Sequence, residues 1–404
     1  MNTLPLDAST PTAIAEFDCE SGKLVLRSPS GSRQALILLR VGPDVIGQAV
    51  VPVVDGGVPP ASLDAVVKSH AWRMWQLRFS DDRPALPAAR ASVVVCTRNR
   101  TRDLEKCLAS LAPLADAGHE IIVVDSCPSD ESTARLVAGY ACVRYIREPR
   151  PGAGIARNRG LLAARKDFVA YTDDDAQADP SWLASLLRNF EDPAVALVTG
   201  LTMPSELETP AQIWFEITHG FNRGFERAEF DYFTQHPLGA GRVGASVNMA
   251  VRRKVLAEVG LFDEALGPGT PARCGEDHEF FYRILACGHR VVYEPSALVW
   301  HRHRRDWRSL RSALYGYGVG VFAWWTRALL VHRELSLLKV GPAYFLQHHV
   351  RNFVRSLLRS TGSPPLDLAA AELWGALMGP YAYLKSRRVT AALPRTLAEA
   401  AESV

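Results

Sequence analysis

From Ala91 to Thr172 short apolar runs alternate with segments of helical spacing. Ser92–Cys96, Ile121–Asp125, Val143–Ile146 and the run from Asp167 to Thr172 read as strands. Between the first two, Leu104, Cys107, Leu108, Leu111 and Leu114 fall at helical spacing, and further helices are expected near 131–139 and 155–166. Such alternation implies a mainly parallel α/β sheet with helices on both faces. Ligands of these sheets bind outside the carboxyl ends of the strands. That rule gathers Thr97, Arg98 and Asn99 after the first strand, Asp125 and Ser126 closing the second, and Asp173, Asp174 and Asp175 closing the fourth into one crevice.

The three consecutive aspartates are the most specific of these. Adjacent carboxylates repel and raise one another's pKa unless a cation neutralises them. Mg²⁺ and Mn²⁺ take oxygen ligands and keep positions open for phosphates, so Asp173 and Asp175 form a candidate diphosphate-metal pair. An acidic loop or a helix cap would be the structural alternative. Asp179-Pro180-Ser181 already supplies a cap for the next helix, with Pro at its first position.

Between the third strand and the triplet, Arg150-Pro-Gly-Ala-Gly-Ile-Ala-Arg-Asn-Arg-Gly160 is a glycine-bearing turn that feeds a helix. Free N–H groups at the helix start, around Gly154, and the guanidinium of Arg157 favour an anion such as a diphosphate. The segment is neither a G-x-x-x-x-G-K-[ST] loop nor a dinucleotide fingerprint.

Taken together, Val95-Cys-Thr-Arg-Asn-Arg100, Ile122-Val-Val-Asp125, Gly152–Gly160, Tyr171-Thr-Asp-Asp-Asp-Ala176 and Gly275-Glu-Asp-His278 resemble the inverting family 2 glycosyltransferases of the GT-A fold, over about residues 91 to 305. The resemblance implies transfer of a sugar from a nucleoside-diphosphate sugar, with a UDP-sugar favoured, to a hydroxyl of a glycan, glycolipid or small-molecule acceptor in cell-surface polysaccharide, glycolipid or glycoconjugate synthesis. Thr97, Arg98 and Asp125 would then surround the nucleoside, and Arg157 would lie near the diphosphate. Asp173 and Asp175 would hold Mn²⁺ or Mg²⁺. Asp277, beside Glu276, would be the catalytic base. Both acids also stand at the start of an apolar-faced helix carrying Phe280, Phe281, Ile284 and Leu285, where negative charge is favoured electrostatically in any case. Gly244, Ser246 and Asn248 match the family segment beneath the donor sugar; a strand with a glycine bulge explains the same letters. His301, first of the His301-Arg-His-Arg-Arg305 run, would be a further metal or diphosphate contact, against the alternative of a solvated basic turn.

Two flanking regions lie outside the resemblance. Residues 1–89 read as a small β module plus linker, with strands at Lys23–Leu26, Ala35–Leu39 and Gln48–Val54, a helix over 64–78 and a polar linker over 80–87. Residues 90–305 form the catalytic domain, and 306–404 read as helices. From His301 to Val389 there are 14 Lys and Arg against 4 acids, while the whole chain carries only +3. That net charge gives no reason to expect nucleic acid, whereas basic residues interleaved with Trp and Leu suit peripheral contact with an anionic membrane, a lid or a dimer face.

Seven cysteines without a C-x-x-C pair and a first segment lacking a basic-then-apolar leader point to the cytoplasm, at the inner face of the cell membrane if the tail binds lipid. Rival functions are a sugar-nucleotide pyrophosphorylase, which should carry a glycine-rich loop and lysine after the first strand, and a non-catalytic carbohydrate or nucleotide binder.

Overall fold

The computed structural model describes residues 6–7, 10–27, 31–79 and 90–394. The N-terminal strands β1 (Thr12–Asp18), β2 (Lys23–Leu26), β3 (Gln34–Val41) and β4 (Asp44–Pro52) form a separate sheet in the order β2-β1-β3-β4, followed by helix α1 (Pro60–Phe79). The first of these strands escaped the sequence reading. The expected linker over 80–87 lies outside the described residues.

The main sheet begins with β5 (Ala91–Thr97), α2 (Thr101–Asp116), β6 (Glu120–Ser126), α3 (Ser132–Ala138), β7 (Val143–Glu148), α4 (Ala153–Ala163) and β8 (Phe168–Asp173). These strands pair in parallel in the order β8-β5-β6-β7. In β5, β6 and β8 the side chains are mostly apolar on both faces, as a sheet covered by helices on both sides requires, while the edge strand β7 is half-buried and carries Arg144 and Arg147.

The second half is mixed. It contains β9 (Ala176–Ala178), α5 (Trp182–Leu187), β10 (Val195–Pro204), α6 (Pro210–His219), β11 (Ala228–Phe230), β12 (Asn248–Arg252), α7 (Leu256–Val259), α8 (Glu276–Ala286) and β13 (Arg290–His301). Strand β12 runs antiparallel to both neighbours, β8 and β10, and so joins the two halves into one nine-stranded sheet.

Beyond the sheet come α9 (Trp307–Val331), α10 (Leu337–Tyr344), a π-helical turn (Phe345–Val350), α11 (Arg351–Leu357) and α12 (Leu366–Ala391). Helices α9 and α12 touch backbone to backbone. A Cβ added to Gly318 would lie 2.2 Å from the Glu372 carbonyl oxygen, and one on Gly375 would lie 2.1 Å from that of Tyr315. No helix among the described residues is long and apolar enough to cross a membrane.

The N-terminal sheet is fastened to the main one. Ile14, Leu36, Leu38 and Val50 share a core with Leu201, Leu298 and Trp300. At its edge Arg40 donates to both Asp179 oxygens, at 2.5 and 3.1 Å, and to Glu16 at 2.8 Å. Asp179 also accepts from the Ser181 N–H and hydroxyl, but α5 begins at Trp182 with Ser181 as its N-cap and no side-chain capping bond, so Asp179 fastens the two sheets and Pro180 lies ahead of the helix. Removing one member of a largely buried ion pair leaves the other charge uncompensated. Arg40→Met is therefore expected to lower the unfolding free energy in urea by about 3 kcal/mol; an unchanged midpoint would mean that the apolar contact alone fastens the module.

Candidate active site

The strand ends meet as expected. Thr97 is the register partner of Asp125, and Cys96 that of Asp173, so three loops leave the sheet side by side. Next to them opens a cleft of about 750 Å³. Asp173, Arg157, Glu276, Asp277 and His301 line it, together with Arg100, Arg304 and the α9 residues Ser312, Gly316 and Tyr317. A hollow of about 810 Å³ lies elsewhere, between Asp263–Ala265 and the end of α12. There Asp263 accepts from Arg327 and from the Tyr383 hydroxyl, which gives it a structural role.

Within the cleft the three aspartates point to different partners. Asp174 turns inward and accepts from the Thr97 hydroxyl at 2.7 Å and from Arg100 at 3.1 Å. Burial and the charge of Asp175 push its carboxyl up to about 6. Asp175 accepts from Arg100 at 2.7 Å and pairs with His301 Nε2 at 3.1 Å, with Arg304 at 3.8 Å. Burial opposes its charge, but these cations outweigh burial and hold Asp175 well below the usual carboxylate range. Asp173 faces the opening, with Arg157 at 3.6 Å and a third of its side chain exposed.

The protein's own cations thus already offset the repulsion that the sequence argument assigned to a metal. The donor set still suits one. One ligand atom each from Asp173, Asp175 and His301 lies within 4.8 Å of the others. Two carboxylate oxygens and an imidazole match Mn²⁺ well and Mg²⁺ less closely.

Helix α8 starts in the cleft because Gly275, its N-cap, adopts a left-handed conformation with φ 97°. A side chain there would be strained and would strike the Gly320 carbonyl of α9 at 2.7 Å. This contact seats α9 over the first turn of α8, where both acids stand. The Glu276 carboxylate is paired with Arg157, and its second oxygen is buried without a hydrogen-bond partner. Burial raises its pKa despite Arg157. Asp277 accepts from the N–H and the hydroxyl of Ser246, each at 3.2 Å, and from the His278 N–H at 2.8 Å. Burial alone would raise its pKa, but His278, Arg157 and these backbone donors bring it below the ordinary carboxylate value.

The nucleoside-side residues sit at the neighbouring strand ends. Asp125 is fully buried; one oxygen accepts from the Tyr145 hydroxyl at 3.0 Å and the other has no hydrogen-bond partner. Arg98 is exposed and forms no hydrogen bond or ion pair with the described residues, while Asn99, at φ 56°, accepts from the Ser129 N–H and hydroxyl at 3.0 Å. Ser126 donates to the Arg150 carbonyl at 3.3 Å.

Three of the predicted residues have packing roles. Asn248 donates to the Leu201 and Ala297 carbonyls at 2.8 and 2.7 Å and accepts from the Trp182 indole at 2.8 Å, so its fully buried amide braces the sheet with both N–H donors engaged. Gly244 packs on Thr199, where a Cβ would come within 2.6 Å. Gly154 lies against the Asp263 carbonyl, at 2.9 Å from a built Cβ, so its missing side chain permits the packing of that helix. Of that predicted group only Ser246 reaches the cleft.

Sequence reasoning also passed over Arg100, Arg304 and Tyr317. Arg100 closes the quoted Thr97-Arg-Asn-Arg100 motif and Arg304 the basic run, so both were visible as letters. Nothing in the sequence placed α9 in the wall.

Comparison with known proteins identifies the family. Residues 92–260 match the family described as Glycosyl transferase family 2. An uncharacterized glycosyltransferase of Mycobacterium bovis is 31% identical over 202 residues, covering 50% of this chain and 81% of that protein. The chain belongs to glycosyltransferase family 2. A Pre-mycofactocin glycosyltransferase of Mycobacterium tuberculosis is 33% identical over 242 residues, 58% of this chain and 47% of the relative. The chain thus spans about half the length of that curated relative. Among solved structures, a mannosyltransferase from Pyrobaculum calidifontis in complex with GDP-Man and Mn²⁺ aligns over 85% of this chain and 88% of its own, with 17% identity and a TM-score of 0.44.

In this family 2 glycosyltransferase the cleft depends locally on the Arg157–Glu276 pair. Arg157→Met should cost about 3–5 kcal/mol by stranding a buried carboxylate. Adding Glu276→Gln should recover most of that loss, and the coupling is measurable as a double-mutant cycle in urea.

Proposed function

We propose that this glycosyltransferase is an inverting, divalent-metal-dependent enzyme that moves one sugar from a nucleoside diphosphate to an acceptor hydroxyl. The observation that carries the reading is the placement of Asp277: an ionised carboxylate, oriented by three donors, in the same cleft as Asp173 and His301.

An alcohol is a poor nucleophile until its proton is taken in the transition state. Asp277 accepts that proton as the acceptor oxygen bonds to the anomeric carbon. The bond from that carbon to the diphosphate oxygen breaks on the opposite face, inverting the centre. Arg157 and Arg100 lie where negative charge develops on the departing diphosphate. A Mn²⁺ or Mg²⁺ ion held by Asp173, Asp175 and His301 would supply Lewis-acid stabilisation of the same charge. The unpartnered Asp125 oxygen suits an N–H of the donor's base.

Asp277→Asn is expected to lower turnover at least about a thousandfold, in the range general-base removal produces, while donor affinity by calorimetry stays within a few-fold. Turnover near the wild-type value would remove Asp277 from the role of base. The lowered pKa of Asp277 keeps it ionised through neutral pH, so kcat/KM should fall only as pH drops below the ordinary carboxylate range. Ser246→Ala, by deleting one donor to the carboxylate, should move that acid limb to higher pH; a limb that stays put would detach the profile from Asp277.

The acceptor is proposed to be presented at a membrane surface. Leu335, Leu338, Leu346, Leu357, Leu358 and Trp374 are exposed on the C-terminal helices, among Lys339, Arg351 and Arg355. Similarity to a Glucosyl-dolichyl phosphate glucuronosyltransferase of Haloferax volcanii, 27% identical over 56% of this chain and 75% of the relative, supports a lipid-linked acceptor. Sedimentation with anionic vesicles, weak with neutral ones and reduced by salt, is the expected result.

A further inference from the structure

Behind the cleft wall, the C-terminal helices enclose a second group of metal-binding side chains. The π-helical turn Phe345–Val350 presents His348 and His349, α12 presents Glu372, and His219 arrives from the end of α6. All converge on one carboxylate oxygen. Glu372 Oε1 lies 3.7 Å from His219 Nε2, 3.7 Å from His348 Nε2 and 3.9 Å from His349 Nδ1. One ligand atom each from His348, His349 and Glu372 lies within 4.8 Å of the other two.

These separations are too long for hydrogen bonds. They are close to what a shared ion demands, because two bonds of about 2.0–2.2 Å at a tetrahedral angle place the ligand atoms about 3.4 Å apart. A contraction of a few tenths of an ångström would bring Glu372 Oε1 to that distance from His348 and His349.

A second observation points the same way. His349 is only 3% exposed, yet neither of its ring nitrogens has a hydrogen-bond partner. The rings of Phe322, Tyr344 and Phe345 surround it. A buried imidazole left unsatisfied is costly. On His219, Nδ1 is engaged by the Thr218 hydroxyl at 2.8 Å, which leaves Nε2 facing Glu372. π-turns are rare in helices and recur at functional sites.

We infer that His348, His349 and Glu372 form a zinc site distinct from the cleft, with His219 facing the same carboxylate oxygen from outside the ligand set. Two imidazoles and one carboxylate are a nitrogen-rich set suited to Zn²⁺, in contrast to the oxygen-rich set of Asp173, Asp175 and His301. The ion would join the π-turn and α12. The His219 ring lies nearly parallel to that of Tyr317, with centroids 6.2 Å apart at 27°, and Tyr317 lines the cleft. Zinc here would brace that wall from behind.

The test uses the full chain carrying Asp173→Asn, which disables the other candidate site. After equilibrium dialysis against Zn²⁺, mass spectrometry of the metal content should find about one zinc per chain, retained in the presence of excess Mg²⁺, and the melting temperature should rise with zinc. Adding His348→Ala, a partly exposed position, should weaken zinc binding at least tenfold and abolish the thermal shift, with the zinc-free circular dichroism spectrum unchanged. Glu372→Gln in place of His348→Ala is the second probe and should give the same loss. The inference is overturned if Asp173→Asn retains no zinc, or if the added variants bind zinc as tightly as Asp173→Asn alone.

Discussion

Arg157 holds together parts of the cleft that have no other reason to be adjacent. Its guanidinium reaches from α4 to Glu276 on α8 and to Asp173 at the end of β8, so one buried cation ties three elements into a single electrostatic unit. Five carboxyl groups crowd this region, Asp173 to Asp175 with Glu276 and Asp277, and such density is tolerable only if positive charge is supplied from several directions. Arg100 does so for Asp174 and Asp175, and His301 and Arg304 add to it at Asp175, while Asp173 faces Arg157 at 3.6 Å. The resulting field is close to balanced yet open at Asp173, where an incoming cation or diphosphate can enter the balance.

That balance separates two acids that look alike in sequence. Glu276 and Asp277 are neighbours on one helical turn, but their oxygens meet different surroundings. Glu276 is committed to Arg157 and buried, which suits a structural counter-ion. Asp277 receives neutral donors from Ser246 and the backbone, which orient a charged carboxylate without occupying it by an ion pair. The assignment of the base therefore rests on hydrogen-bond type more than on position.

Much of this was legible in the chain. Apolar runs with short helical segments between them fixed β5 to β8 to within a residue or two, because fully buried parallel strands leave a continuous apolar signature. The strand-end rule then placed Thr97, Asp125 and Asp173 together. The antiparallel half was less readable, since β12 and β13 are set by pairings across long separations that no local pattern encodes. Asn248 shows the difficulty: an Asn near a site motif looks like a ligand contact, and only the three buried partners around it reveal a brace. The same holds for α9, which reads simply as a helix and whose glycines prove to be the condition for its close approach to α8 and α12.

The antiparallel strand β12 has a further consequence. It starts two residues after Ser246, which orients Asp277, and its first residue, Asn248, stands opposite Thr172, the residue before Asp173. In the proposed mechanism, acceptor activation and donor capture would thus be indexed to each other by a single ladder of backbone bonds. Because side chains alternate faces along a strand, slippage by one position would turn Ser246 and the triplet out of mutual reach together. Catalytic competence is in this sense a report on the alignment of one strand, and a misregistered chain could be fully compact yet chemically silent.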